Sequence, residues 1–257
     1  MTDYSNDTPK QDDSQALQSE EINSSPALVR VRLPHDSPKM TYTIMGITIV
    51  IYMLQVTTNQ ILGYDLPAFL GMKVNELISE GQWWRLLTPV LLHGSIIHIG
   101  VNMYALYILG PVLEDFYDHW KFLMLYLVSA LGGATFSFIL TDNPSLGAST
   151  AIFGLIAANG VFVYHNRMLY GKRAQEALRS MISVAVINLV IGLAPGIDNW
   201  AHLGGLLGGL AVSWFGGPVY KLAGAPPEYG VIDQRKRGVF SLTIVFTALA
   251  FILLAFY

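Results

Sequence analysis

Seven runs of fifteen to twenty mostly apolar residues recur along the 257-residue chain, at about 40–58, 97–113, 121–140, 149–165, 181–195, 201–220 and 238–257. In lipid every backbone N–H and C=O must be bonded within the segment that carries it, so such runs cross a bilayer as helices. Charged residues make up 13% of the chain, against about 25% in an ordinary soluble domain. So little charge cannot cover that much apolar sequence in water. The pattern excludes a soluble globular protein and a disordered one, and predicts an all-α polytopic membrane protein.

The polar parts set the organisation and the orientation. Residues 1–29 are acidic, with Lys10 the only basic residue, and carry neither a signal peptide nor an Arg-rich transit pattern. Residues 1–39 read as a disordered cytoplasmic tail, 40–220 as a six-span core, and 221–257 as a cytoplasmic loop followed by a seventh span. The first connection, 59–96, holds Trp83, Trp84 and Arg85 beside an apolar run. Aromatic and basic residues in that combination suit a membrane interface, so short helices lying on the membrane are expected there. Arg30, Arg32 and Lys39 precede span one, Lys121 follows span two, Arg167, Lys172, Arg173 and Arg179 follow span four, and Lys221, Arg235, Lys236 and Arg237 follow span six. The opposite loops hold only Lys73 and Arg85. By the positive-inside rule the N-terminus is cytoplasmic and the C-terminus outside.

Composition narrows the chemistry. There are no cysteines, so disulfides, thiolate metal sites and cysteine nucleophiles are excluded. A net charge of −3 offers no basic face for nucleic acid. The informative residues are polar groups at the edges of spans, where each is costly in hydrocarbon. Spans two, four and six run in the same direction, so their first residues share one depth near the outer face. Span two opens with His98 and, one turn on, Asn102; span four opens with Ser149; span six opens with His202. A Ser and a His at matched depth form a nucleophile–base pair if their helices touch.

A reason for contact is written in span six, Ala201-His202-Leu203-Gly204-Gly205-Leu206-Leu207-Gly208-Gly209, and in Gly154, Ala157, Ala158 and Gly160 of span four. Small residues at that spacing let helix backbones approach closely. Gly147-Ala148-Ser149 puts the serine at a helix start, where free N–H groups and the dipole favour an oxyanion. Each residue also has a plainer reading: Ser149 as a helix cap, His202 as a buried histidine, His93 and His98 as metal ligands. The convergence of Ser149, His202, His98 and Asn102 on one layer argues for the catalytic reading.

The serine block with Gly154 behind it and the Ala201–Gly209 block resemble the two signature blocks of rhomboid intramembrane serine proteases. His93-Gly94-Ser95-Ile96-Ile97-His98-Ile99-Gly100-Val101-Asn102 is similar to that family's histidine-and-asparagine segment, and Trp84-Arg85 to its first-loop motif. The resemblance covers about residues 40–220, and the seventh span resembles a family variant with a C-terminal addition. It implies a rhomboid-like six-helix bundle with an additional C-terminal transmembrane helix. Ser149 would be the nucleophile, His202 the general base, and His98, Asn102 and the Ser149 backbone N–H the oxyanion hole. Phe153, Gly147, Gly205 and Gly209 would support them, and Glu114 would be a structural tie. Thr150 stands where the family commonly has glycine, and Phe153 where it has tyrosine.

The expected activity is serine endopeptidase cleavage of transmembrane-protein substrates near the outer face, without cofactor or metal. A bacterial cell membrane is the expected location, with the bilayer and substrate proteins as partners. No acid lies within a span near His202; Asp198, in the loop before it, is a weak candidate to orient the imidazole. Span five is the most loosely specified and a candidate to shift for substrate. The alternatives are a catalytically silent relative that binds membrane-protein clients, and a small-solute transporter, for which the internal repeat usual in that class is missing. Because the chain has no cysteine, a single one introduced at Asn143 or at Lys172 is a unique label. An impermeant maleimide should reach the first from outside intact cells and the second only after permeabilisation; the reverse pattern would invert the topology.

Overall fold

A computed structural model describes residues 30–32, 37–225, 228–236 and 238–256. Seven long helices follow in order: α1 (Lys39–Leu62), α2 (Ile96–Tyr117), α3 (His119–Leu140), α4 (Ser149–His165), α5 (Ala174–Ile191), α6 (Asn199–Gly216) and α7 (Val239–Phe256). Among the described residues, five stretches are long and apolar enough to cross a membrane on their own: α1, α2, α3, Arg167–Ile191 and α7. The chain is an integral multi-pass membrane protein of the all-α class. Five expected boundaries move by four residues or more: span one closes at Leu62 rather than 58 and span two at Tyr117 rather than 113. Span five begins at Ala174 rather than 181 and closes at Ile191, and span six closes at Gly216 rather than 220.

α4 and α6 form the centre. With 17 residues, α4 is about 25 Å long, short of a hydrocarbon core of about 30 Å. It tolerates this because protein surrounds it: Ala151 to Ile156 are all buried, as are Ala158, Val161, Phe162 and Val163.

Glycine decides which helices meet. On α6, a Cβ at Gly205 would overlap the Thr150 carbonyl oxygen, and one at Gly209 would overlap the backbone of Gly154, both on α4. The other α6 face meets α3, where a Cβ at Gly204 would overlap the Gly132 carbonyl oxygen. Gly154 in turn receives the Ser129 side chain of α3. The small-residue series therefore has two working faces, and three backbones are in near contact through them.

The entry of the chain is tied differently. Glu114 of α2 is fully buried and accepts from the N–H groups of Met40 at 2.7 Å and Thr41 at 2.8 Å, and from the Thr41 hydroxyl at 2.7 Å. These are unpaired donors of α1's first turn, so one carboxylate pins the start of α1 to the end of α2.

The first connection forms short helices at Leu66–Gly71 and Asn75–Ser79 and single 3-10 turns at Trp83–Leu86 and Thr88–Leu91. Trp83 and Trp84 are exposed, but Arg85 is buried. Its guanidinium holds the carbonyls of Met72 at 2.7 Å and Phe69 at 2.8 Å, with Gln82 Oε1 at 2.8 Å, so Arg85 braces the loop from within.

The connection after α6 is a β-hairpin, β2 (Tyr220–Ala225) antiparallel to β3 (Glu228–Asp233), with β1 (Arg30–Arg32) parallel on the far side of β3. Asn166 fastens it to α4, donating to the carbonyls of Phe162 and Pro218 and accepting from Tyr220 N–H. Of the tail expected over residues 1–39, positions 1–29 and 33–36 lie outside the described residues.

Gly209 and Gly160 contrast the room α4 leaves toward α6 with the room it leaves toward α5. Gly209→Val should cost about 3 kcal/mol or more, because backbone on α4 occupies the space. Gly160→Val should cost little, since the nearest atom, Met181 Cβ, is 4.0 Å from where a Cβ would lie. Thermal unfolding in detergent separates the two; equal tolerance would contradict the close α4–α6 contact.

Candidate active site

Ser149 is the first residue of α4, the capping position belongs to Ala148, and no side chain caps that helix. The plain capping reading of the serine is thus not what its hydroxyl does. Ser149 Oγ lies 2.9 Å from His202 Nε2 on α6. For the serine to donate to Nε2, the neutral ring must carry its proton on Nδ1.

Phe153, one turn along α4, stacks on the imidazole with ring centroids 4.4 Å apart and planes 18° from parallel. It is buried, so the His202 ring is held between packed surfaces. His202 Nδ1 is buried with no partner among the described residues. Asp198 does not reach it. One Asp198 oxygen accepts from Ala201 N–H at 3.0 Å, capping α6, and the other accepts from the Ser137 hydroxyl. The arrangement is a Ser–His pair without an acidic third member.

Gly147 has φ of 137°, in the region that favours glycine. A Cβ there would lie 2.7 Å from His98 Nε2 and 3.6 Å from Ser149 Oγ. The missing side chain thus lets the His98 ring lie against the turn that presents the serine. Asn102 is buried and spends one amide proton on the His98 carbonyl, 2.9 Å away, leaving the second for a ligand. His98, Asn102, Gly147, Ser149, Phe153 and His202 all line one cavity of about 820 Å³. Thr150 fits over α3 at Gly133, whose Cβ would lie 2.7 Å from Thr150 Cβ.

Two further residues support the site: His93, which opens the histidine-and-asparagine segment, and Gln55, which carries no motif-level signal. His93 is buried, its ring meets the His98 ring edge to face at 5.0 Å, and its Nε2 accepts from Ala148 N–H at 3.5 Å. Burial, aided by His98 and opposed by the Leu91 carbonyl, lowers its pKa to about 4, so it is neutral at pH 7 and supports the turn as an acceptor. Gln55 of α1 brackets the His93 backbone, accepting from its N–H at 3.0 Å and donating to its carbonyl at 3.3 Å. In the sequence His93 stands at the head of the His93–Asn102 segment and as a metal-ligand option; among the described residues no group of three His, Asp or Glu side chains is arranged to hold a metal ion.

Known proteins share sequence with this chain. Residues 80–219 match the Rhomboid domain family model. The chain is 36% identical over 195 residues to the rhomboid protease GluP of Bacillus subtilis, covering 75% of this chain and 37% of that protein. It is 36% identical over 183 residues to RHOMBOID-like protein 5 of Arabidopsis thaliana, covering 69% of this chain and 56% of the relative. It is 28% identical over 200 residues to the rhomboid protease AarA of Providencia stuartii, covering 68% and 71%. The match therefore spans only about two fifths to a little over half of the first two relatives' length.

The stack on His202 has a measurable consequence. Phe153→Leu removes the flat face, and an aromatic pair is worth about 0.5–1.5 kcal/mol beyond its burial. Phosphonylation of Ser149 by a fluorophosphonate, with loss of fluoride, should slow by roughly 2- to 10-fold, with the chain still folded. An unchanged rate would show that the ring does not hold the imidazole.

Proposed function

The chain belongs to the rhomboid family, and from that premise we propose that it is an intramembrane serine endopeptidase working with a Ser149–His202 dyad. The observation that carries the reading is the 2.9 Å contact between Ser149 Oγ and His202 Nε2 across two helices, in a bundle whose packing brings those two ends together.

His202 takes the serine proton as Oγ attacks a peptide carbonyl, then gives it to the departing amine as the C–N bond breaks. Water next attacks the acyl ester, passing a proton to His202, and Ser149 regains its own as the new carboxyl product leaves. In both steps charge develops on the carbonyl oxygen. The Ser149 N–H, in the first turn of α4 with no preceding helical carbonyl to bond, His98 and the free amide proton of Asn102 are placed to receive it. Removing one such donor costs roughly 10²–10³ in rate.

Substrates are transmembrane segments of other proteins. The cavity is flanked by Val101, Tyr104 and Ile108 of α2 and by Met181, Val184 and Asn188 of α5, and α5 buries only Ala174. α5 is thus the helix most free to yield, and the gap between it and α2 is a route for a substrate from the bilayer. A peptide bond must leave its helix to be attacked, so helix-breaking residues near the cut favour cleavage. Lys172, Arg173, Lys221, Arg235 and Lys236 lie at the opposite helix ends from Ser149. The positive-inside rule then sets the dyad toward the outside of what we take to be a bacterial cell membrane, with residues 40–220 as the catalytic core.

In proteoliposomes, a fluorophosphonate should label wild-type chain at Ser149, and model transmembrane substrates should be cut. Ser149→Ala and His202→Ala should abolish both while leaving the fold intact. Folded wild type that neither labels nor cuts would overturn the protease reading in favour of client binding.

A further inference from the structure

Resting on the protease reading, we infer that Ser137 and Asp198 are positioning residues that set the separation of Ser149 and His202. They do so through a chain of polar contacts anchored on the first loop. None of these side chains touches the dyad; they hold the two backbone segments from which it projects.

The chain of contacts starts at Lys73, a lysine with no exposed surface in the connection between α1 and α2. Its ammonium donates to the carbonyls of Thr141 at 2.7 Å and Asn143 at 3.1 Å. Its backbone pairs with Ser145, Lys73 N–H to Ser145 O at 3.0 Å and Ser145 N–H to Lys73 O at 3.2 Å. Burial lowers the lysine's pKa, while Asp198, Asp142 and Glu76 pull it back up. Asn75 adds bonds to the Phe138 and Thr141 carbonyls and to Asp142. The segment that leads into Ser149 is therefore clamped to the first loop four residues before the serine.

From Ser145 the path crosses to α6. Ser145 Oγ is 3.1 Å from Ser137 Oγ, and Ser137, fully buried on α3, donates to Asp198 Oδ2. With Ser137's proton given to the carboxylate, Ser145 is the donor to Ser137, so each hydroxyl donates one bond along the chain. Asp198 Oδ1 caps Ala201, and the Asp198 carbonyl accepts from His202 N–H at 3.3 Å. The path thus joins the nucleophile's turn to the first turn of the helix that carries the base, across a third helix.

This goes beyond capping, which Asp198 would perform without Ser137. A reaction that needs near-attack geometry loses up to about 10²-fold for a 1 Å displacement, so a link that holds two turns in register acts on rate.

Three full-length variants in proteoliposomes separate the roles. Ser137→Ala cuts the link and leaves the cap. Asp198→Ser keeps a capping hydroxyl but loses the reach to Ser137; the third variant combines both. Each single variant should lower kcat for one model substrate, and fluorophosphonate labelling of Ser149, by roughly 10- to 100-fold. KM and the unfolding temperature should hold, and the double variant should be no slower than the worse single, because both act through one contact. Should Ser137→Ala fail to fold, Asp198→Ser reads the same link from its other end. Undiminished rates, multiplying losses in the double variant, or rate losses matched by falling unfolding temperature would overturn the inference. A wild type that is not labelled at Ser149 would instead overturn the protease reading on which it rests.

Discussion

The absence of side chains on two faces of α6 is the constraint from which the rest of the molecule follows. In lipid, apolar burial gives helices little reason to associate, and close van der Waals approach takes its place. Gly205 and Gly209 admit the backbone of α4, and Gly204 admits that of α3, so three helices share one dense seam. The register of that seam puts His202, three residues before Gly205, level with the first residue of α4. A change of one residue in the register would turn the imidazole away from Ser149.

Around this seam the molecule spends its polar groups on holding ends and turns. Glu114 gathers the start of α1, Arg85 gathers carbonyls of the first loop, and Asn166 gathers the hairpin. Each is buried and bonds at least two backbone groups, which suits a site with few loops to stabilise it. The seventh helix packs against α3 and α6, with Phe251 close to where a Cβ of Gly132 would lie. It therefore backs the seam on the side away from the dyad.

Much of this was legible in the residues. Apolar runs identified seven helices, because in a bilayer length and composition decide where the chain crosses. The quartet of Ser149, His202, His98 and Asn102 stood out because a polar group in an apolar run is conspicuous, and all four line one cavity. Less legible were features that depend on pairing at a distance. Ser137 looks like any small residue of an apolar helix, and only coordinates reveal that it faces Asp198. Lys73 stands in the sequence only as a basic residue of the first connection, yet it is enclosed. The Tyr220–Ala225 and Glu228–Asp233 hairpin was missed because its first strand, Tyr-Lys-Leu-Ala-Gly-Ala, has weak strand propensity, and its place beside α4 is set by Asn166.

We propose that α4 and α6 meet so closely that an alcohol on one and an imidazole on the other act as a single reacting unit. The most direct measurement uses a chloroisocoumarin, a reagent that acylates a serine and then alkylates a histidine within reach of the same small ring. Peptide mapping by mass spectrometry after treatment of the membrane-embedded chain should find one adduct bridging the peptides that contain Ser149 and His202. Attachment to any other pair of residues, or to Ser149 with no second bond to His202, would contradict the account.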